Sequence, residues 1–274
     1  YGAYKRLTTR YEGVLTGKGL TYGGSLARTE ATGYGTVYFT DAMLKDRGDS
    51  LKGKKCAVSG SGNVAIYCCE KLIQLGATPV TVSDSNGTIY DPNGIKVDVL
   101  KQVKEVERAR LTRYAELVPT AQYTPVDKYP AGKQQVWTYN VDCAFPCATQ
   151  NELNEEDAKT LLANGCKVVA EGANMPSTLG AIDQFLKAKI AYGPAKAANA
   201  GGVATSQLEM EQNAGMTAWT FEEVDQKLHT IMTNLYKNVA DTAREFGVEG
   251  NLVLGANIAG FRKVADAMIA QGVI

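Results

Sequence analysis

Apolar residues along the chain recur first at helical spacing and then gather in short runs. Val37, Phe39, Met43 and Leu44 mark the buried side of a helix expected over residues 30–46, which Gly48 and Gly53 end. Ahead of it Gly13, Gly17, Gly19, Gly23 and Gly24 make 12–25 a loop. Residues 55–59 then read as a short buried strand, 63–75 as a helix closed by Gly76, and 79–83 as the next strand. Turn formers fill 84–94, with a hairpin expected around Asn86-Gly87, and one charged helix is predicted over 96–117. Further strands are expected at 141–145, 167–171 and 188–192, joined by helices such as 155–163 and 177–187. From about 198 to 274 the pattern is three helices broken at Gly215 and Gly250, with no strand.

Strand and helix alternate throughout the middle of the chain. That predicts an α/β fold: a doubly wound, Rossmann-like, mostly parallel sheet with helices on both faces and a helical C-terminal extension. The start, Tyr1-Gly2-Ala3-Tyr4-Lys5-Arg6, reads as the end of a helix already under way, so a preceding portion is expected.

Composition narrows the function. With 274 residues and 45% apolar content a sizeable core is available, and 29 basic residues balance 29 acidic ones. No excess positive charge exists to hold nucleic acid or an anionic membrane. No stretch reaches the roughly 20 apolar residues of a spanning helix, and no signal peptide is visible, so a cytoplasmic protein is expected. The six cysteines, at 56, 68, 69, 143, 147 and 166, lack metal-site spacing, and His229 is the only histidine. Buried reduced thiols and no metal are expected.

The segment Gly60-Ser61-Gly62-Asn63-Val64-Ala65 lies between an expected strand and an expected helix. There Gly60 permits the tight turn, Gly62 lets the backbone approach a pyrophosphate, and Ala65 keeps the helix close to the sheet. The helix N-terminus adds unpaired N–H groups and a positive dipole end. Asp84, about twenty residues on at the end of the next strand, is placed to accept from adenosine ribose hydroxyls. The bland alternative is a tight βα turn with Asp84 as a turn former. Asp84 by itself favours NAD; Ser83, Ser85 and Arg108 or Arg110 could instead serve a 2′-phosphate, and the local residues leave both open.

Eight blocks spread over nearly the whole chain resemble the hexameric glutamate dehydrogenase family, its small-subunit NADP-dependent members most. They are Thr16-Gly17-Lys18-Gly19-Leu20, Gly23-Gly24-Ser25-Leu26, Glu30-Ala31-Thr32-Gly33-Tyr34-Gly35, the run from Val58 to Ala65, Pro146-Cys147-Ala148-Thr149-Gln150-Asn151-Glu152, Glu171-Gly172-Ala173-Asn174-Met175-Pro176, Ala198-Asn199-Ala200-Gly201-Gly202-Val203 and Gly255-Ala256-Asn257-Ile258-Ala259-Gly260-Phe261. One departure is Thr29, where the family usually has proline.

The resemblance implies reversible oxidative deamination of L-glutamate to 2-oxoglutarate and ammonia, with hydride passing to the nicotinamide. Ser83-Asp84-Ser85 matches the family's NADP members, so NADP is the expected cofactor and NAD the alternative. By position, Thr32 would hold the nicotinamide carboxamide, and Gly60, Ser61, Gly62, Asn63, Val64, Asp84 and Ser85 the cofactor's phosphate and adenosine end. Ala148, Gln150 and Asn151 would lie beside the nicotinamide ribose, with Asn174 and Asn199 on comparable loops, and Ser206 would bind the substrate's side-chain carboxylate. The bland readings are helix caps for Thr32, Asn174 and Asn199, a turn for Gln150 and Asn151, and helix packing for Ser206.

The family's catalytic lysine and aspartate would lie upstream, leaving none in this chain, and neither Lys18 nor Arg28 is assigned a catalytic role. The expected division is 1–20 as the tail of an N-terminal substrate and oligomerisation domain, 21–250 as the dinucleotide-binding domain, and 251–274 as a helix returning towards the first. A hexamer is expected of the full-length enzyme and inactivity of this portion alone. A dehydrogenase for leucine, phenylalanine or valine, or a non-catalytic dinucleotide-binding module, remains the alternative. Ile258, Phe261, Val264 and Met268 would form a sticky patch if nothing covered them.

Overall fold

In the computed structural model, which describes residues 1–272, the strands are β1 (Lys55–Val58), β2 (Thr78–Pro79), β3 (Thr81–Asp84), β4 (Gly87–Tyr90), β5 (Gln122–Pro125), β6 (Cys143–Phe145), β7 (Val168–Ala170) and β8 (Ala191–Gly193). Five form a parallel sheet in the order β2-β1-β6-β7-β8, and the other three an antiparallel sheet, β3-β4-β5. The helices are α1 (Gly2–Thr8), α2 (Ala31–Asp46), α3 (Asn63–Gln74), α4 (Val97–Lys101), α5 (Leu111–Leu117), α6 (Glu155–Ala163), α7 (Leu179–Lys187), α8 (Ala195–Ala198), α9 (Gly201–Ala214), α10 (Phe221–Glu245) and α11 (Leu252–Gln271).

Side chains alternate across a strand, so each buried strand feeds two cores. Cys56 and Val58 of β1, Cys143 and Phe145 of β6, and Val168 and Ala170 of β7 enter one core with Val37, Phe39, Ile66 and Leu72 of α2 and α3. Ala57, Ala144 and Val169 point the other way, into a core with Leu161 of α6, Phe185 of α7 and Trp137. Helices therefore cover both faces of the sheet, as the alternation of elements predicts.

Helix α2 is buried on nearly all sides between α3, α9 and α10. Glycine makes that possible. A Cβ on Gly33 would lie 2.5 Å from the Cys68 backbone nitrogen, and one on Gly201 would overlap the Ala31 carbonyl.

Three expectations are corrected, and one strand was missed. The strand over 79–83 is split at Val80: β2 pairs with β1 in the parallel sheet, whereas β3 pairs with β4 in the other. The hairpin is present, but its loop is Ser85-Asn86, with Asp84 opposite Gly87. The helix over 96–117 is broken into α4, a wider π-type turn at Gln102–Val106, and α5, because Arg108 is left-handed with φ 53°. Strand β5 was not foreseen: its residues are half-buried or exposed, so apolar alternation is missing.

After residue 198, α9 ends at Gly215 as expected, whereas α10 stops at Glu245, ahead of the expected break at Gly250, and α11 begins at Leu252. Helix α11 lies on α10 through Leu252 and Gly255, and leaves Phe261, Val264 and Met268 exposed. The last two residues of the expected 251–274 helix lie outside the described residues. Among the described residues no helix is long and apolar enough to cross a membrane.

Replacing Gly33 with alanine forces a methyl group against the α3 backbone. The expected loss is about 1–3 kcal/mol of stability, read as a lower denaturation midpoint. An unchanged midpoint would show that α2 and α3 can separate at no cost.

Candidate functional site

The sheet order carries the first clue to a site. The chain leaves β1 towards β2 on one side and reaches β6 on the other, so the loops after β1 and β6 diverge and open a crevice at the strands' C-terminal ends. Gly60 turns the chain there with φ 83°, a conformation open to glycine at no steric cost. Its N–H donates to Ser83 Oγ at 2.8 Å and its carbonyl accepts from Ser83 N at 3.0 Å, which ties the turn to β3. Gly62 is the N-cap of α3 and supplies no side-chain cap, so the first N–H groups of the helix face the crevice. A Cβ on Gly62 would meet no atom within 4 Å: the space above it is open.

This crevice, about 840 Å³, is lined by Gly60–Val64, Ser83–Ser85 and Cys147–Glu152, together with Tyr129, Gln134 and Val136. Asp84 lines it but is not a free acceptor. Its Oδ1 takes the N–H groups of Asn86 (2.8 Å) and Gly87 (3.2 Å), and its Oδ2 takes that of Leu111 (3.0 Å), so it shapes the hairpin and caps α5. Beside it Arg110 donates to Ser85 Oγ at 2.9 Å, whereas Arg108 is exposed and turned by its left-handed backbone.

A second cavity of about 800 Å³ continues the first across Val64 and Cys147–Gln150. Its walls bring together Arg28, Thr32, Asn174, Asn199 and Ser206. Asn199 donates to Asn174 Oδ1 (2.9 Å) and to the Ala173 carbonyl (3.0 Å). Arg28 Nε donates to Ser206 Oγ at 3.1 Å, and Ser206 in turn donates to the Gly202 carbonyl. Thr32 stands inside the first turn of α2, whose N-cap is Glu30, so it is not a cap. Asn151, at φ 56°, and Met175, at φ 48°, bend two loops that are joined by Asn151 N to Met175 O.

Buried charges brace these loops. Lys18 Nζ meets Glu209 at 2.7 Å, with both side chains almost wholly buried, and Glu209 also accepts from the backbone of Gly17. That pair holds the glycine loop onto α9 and leaves Lys18 no part in the cavity. Glu171 accepts from Ala195 N at 2.7 Å, and burial pushes its carboxyl up. Glu152 accepts from Ala148 N (2.9 Å) and Thr149 N (3.3 Å), and is pushed up to about 7 by burial. All six cysteines are free and buried. Among the described residues no group of three or more metal-ligating side chains gathers.

Every site residue expected from the sequence therefore lines one of two continuous cavities. Asp84 lines the first with its oxygens committed to backbone N–H groups. Missing from the expectation were the Arg28–Ser206 contact and Glu152. Glu152 closes one of the resembling blocks and so was visible; nothing local paired Arg28 with Ser206, 178 positions away.

Comparison with known proteins bears on the same residues. A family model described as glutamate/leucine/phenylalanine/valine dehydrogenase matches residues 23–272. The NADP-specific glutamate dehydrogenase of Helicobacter pylori is 64% identical over 273 residues, covering all of this chain and 61% of that protein. The NAD(P)-specific glutamate dehydrogenase of Xylanibacter ruminicola is 55% identical over 276 residues, covering all of this chain and 60% of that protein. The crystal structure of glutamate dehydrogenase from Plasmodium falciparum superposes with a TM-score of 0.95 at 45% identity, over 100% of this chain and 58% of that one. The chain thus spans about 60% of the length of these curated relatives.

Glu209→Gln leaves the Lys18 ammonium buried without its counter-charge. Stability is expected to fall by about 3–5 kcal/mol, with the 12–25 loop cut first in limited proteolysis. Equal midpoints and equal cleavage would show that the pair does not hold the loop.

Proposed function

We propose that this chain, which belongs to the glutamate/leucine/phenylalanine/valine dehydrogenase family, is the cofactor-binding part of an NADP-dependent glutamate dehydrogenase. The reaction is reversible oxidative deamination of L-glutamate to 2-oxoglutarate and ammonia. One observation carries the reading. A single continuous groove runs from a serine and arginine end, past an uncapped helix N-terminus, to an arginine and serine end.

The residues fit a dinucleotide. The open space over Gly62 is where a pyrophosphate would rest, against the first N–H groups of α3. Gly60, Ser61, Asn63 and Val64 would flank it. Ser85 and Arg110 suit a 2′-phosphate, and Asp84, committed to three backbone N–H groups, opposes it less than a free carboxylate would. Ala148, Gln150, Asn151, Asn174 and Asn199 would surround the nicotinamide ribose, with Thr32 at the carboxamide. When bound, the nicotinamide accepts or gives the hydride.

Substrate choice follows from charge. Arg28 and Ser206 offer a guanidinium and a hydroxyl to a second carboxylate, which glutamate has and leucine, valine and phenylalanine lack. The Nε of Arg28 is engaged by Ser206 Oγ, and its terminal nitrogens make no hydrogen bond among the described residues. Lys18, neutralised by Glu209, is not the base of this reaction. The reading also carries the family's hexameric assembly and a cytoplasmic setting, where cysteines stay reduced.

Titration with NADPH and NADH tests the reading, with NADPH expected to bind more tightly. Ser85→Ala combined with Arg110→Ala is expected to weaken NADPH about 10-fold or more and leave NADH nearly unchanged. Gly62→Val is expected to abolish both at little cost in stability, since its side chain enters open space. Failure of either dinucleotide to bind the wild-type chain would sink the reading; an equal loss for both in the double variant would remove the 2′-phosphate assignment alone.

A further inference from the structure

We infer that Glu152 is a positioning residue of the groove that takes up a proton as the dinucleotide binds, so that a crevice lined by carboxylates accepts a polyanion. The inference rests on the dinucleotide reading and adds to it a charge-balancing step.

The lining of the first cavity poses an electrostatic problem. It holds two carboxylates, Asp84 and Glu152, against one flanking cation, Arg110, which lies at the Ser85 end. A dinucleotide phosphate carries several negative charges, and like charges crowded into one site disfavour one another's ionised form. Asp84 spreads its charge over three backbone N–H groups. Glu152 is differently placed: its Oε1 takes two N–H groups from its own loop, and among the described residues it makes no salt bridge.

The neighbouring charges oppose its ionisation. Asp157, on the first turn of α6, adds a like charge that Lys133 partly offsets, while Glu155 and Glu156 on that turn are paired with Lys159. From β3 the charged group facing the crevice is Asp84; Tyr129 and Cys147 complete its titratable lining. Loss of solvent in the crevice already pushes the Glu152 carboxyl up to about 7. Phosphates seated at Gly62 and Asn63 add negative charge and exclude water from the same crevice, and both effects favour the protonated form.

Protonation need not move the loop. A carboxylic acid keeps an oxygen able to accept the Ala148 and Thr149 N–H groups while losing its charge. The residues that would sit beside the nicotinamide ribose therefore stay in place. The sign of the pH dependence follows: a proton taken up on binding makes affinity fall as pH rises through about 7, by up to about tenfold per unit for one fully linked proton.

The test is calorimetric titration of the chain with NADPH just above neutral pH, in PIPES and in Tris, whose different ionisation heats reveal the protons exchanged. Glu152→Gln is the comparison, because an amide keeps the acceptor and cannot titrate. The expected result is that the wild type takes up a larger fraction of a proton than Glu152→Gln, and that its affinity falls more steeply with pH. Any proton change of the 2′-phosphate is common to both and cancels in the difference. Equal proton counts with binding intact would overturn the inference and spare the dinucleotide reading. Loss of binding in a folded Glu152→Gln would overturn it as well, by showing that the charged carboxylate is needed. No binding heat in the wild type would overturn the reading and the inference together.

Discussion

Backbone must approach backbone where β1 ends, and the rest of the site depends on the two glycines that permit it. Gly60 turns with positive φ while exchanging two hydrogen bonds with Ser83, and a Cβ there would press on the Cys147 carbonyl at 3.0 Å. In this way β1, β3 and the loop after β6 converge on one point. Gly62 then leaves the start of α3 bare towards the crevice. A side chain at either position would separate the walls of the groove or fill it.

Around that turn the loops are held by groups distant in sequence. Lys18 reaches Glu209 across 191 positions, and Arg28 reaches Ser206 across 178. The first pair fixes the glycine-rich loop on α9, and the second sets a guanidinium and a hydroxyl at the far end of the groove. Half-buried Glu152 holds two backbone N–H groups of the crevice loop after β6, and buried Glu171 holds the first N–H of α8. Buried charge is costly unless paired, so these positions tie the shape of the site to its electrostatics.

Much of the fold was legible in the sequence because the parallel strands are buried on both faces and read as short apolar runs between amphipathic helices. Cys56 to Val58 and Cys143 to Phe145 are of this kind. What escaped has a physical reason in each case. Strand β5 is half-exposed and carries no alternation, and Arg108 breaks a helix through one backbone angle that composition does not announce. The candidate site was legible where its residues are contiguous, at Gly60–Val64 and Ala148–Asn151. It was illegible where chemistry depends on pairing: Asp84 satisfies ribose-binding spacing, yet the hairpin and α5 claim its oxygens.

The central claim is that the two cavities form one groove that takes a single dinucleotide. Hydrogen exchange, followed by mass spectrometry with and without NADPH, measures this directly. The account predicts slowed exchange in one binding event at residues 60–66, 83–86 and 147–152 of the first cavity and at 172–174 and 199–206 of the second, with no change around the ion pair of Lys71 on α3 with Asp225 on α10, which lines neither cavity. Protection of only one cavity, or of neither, would contradict it.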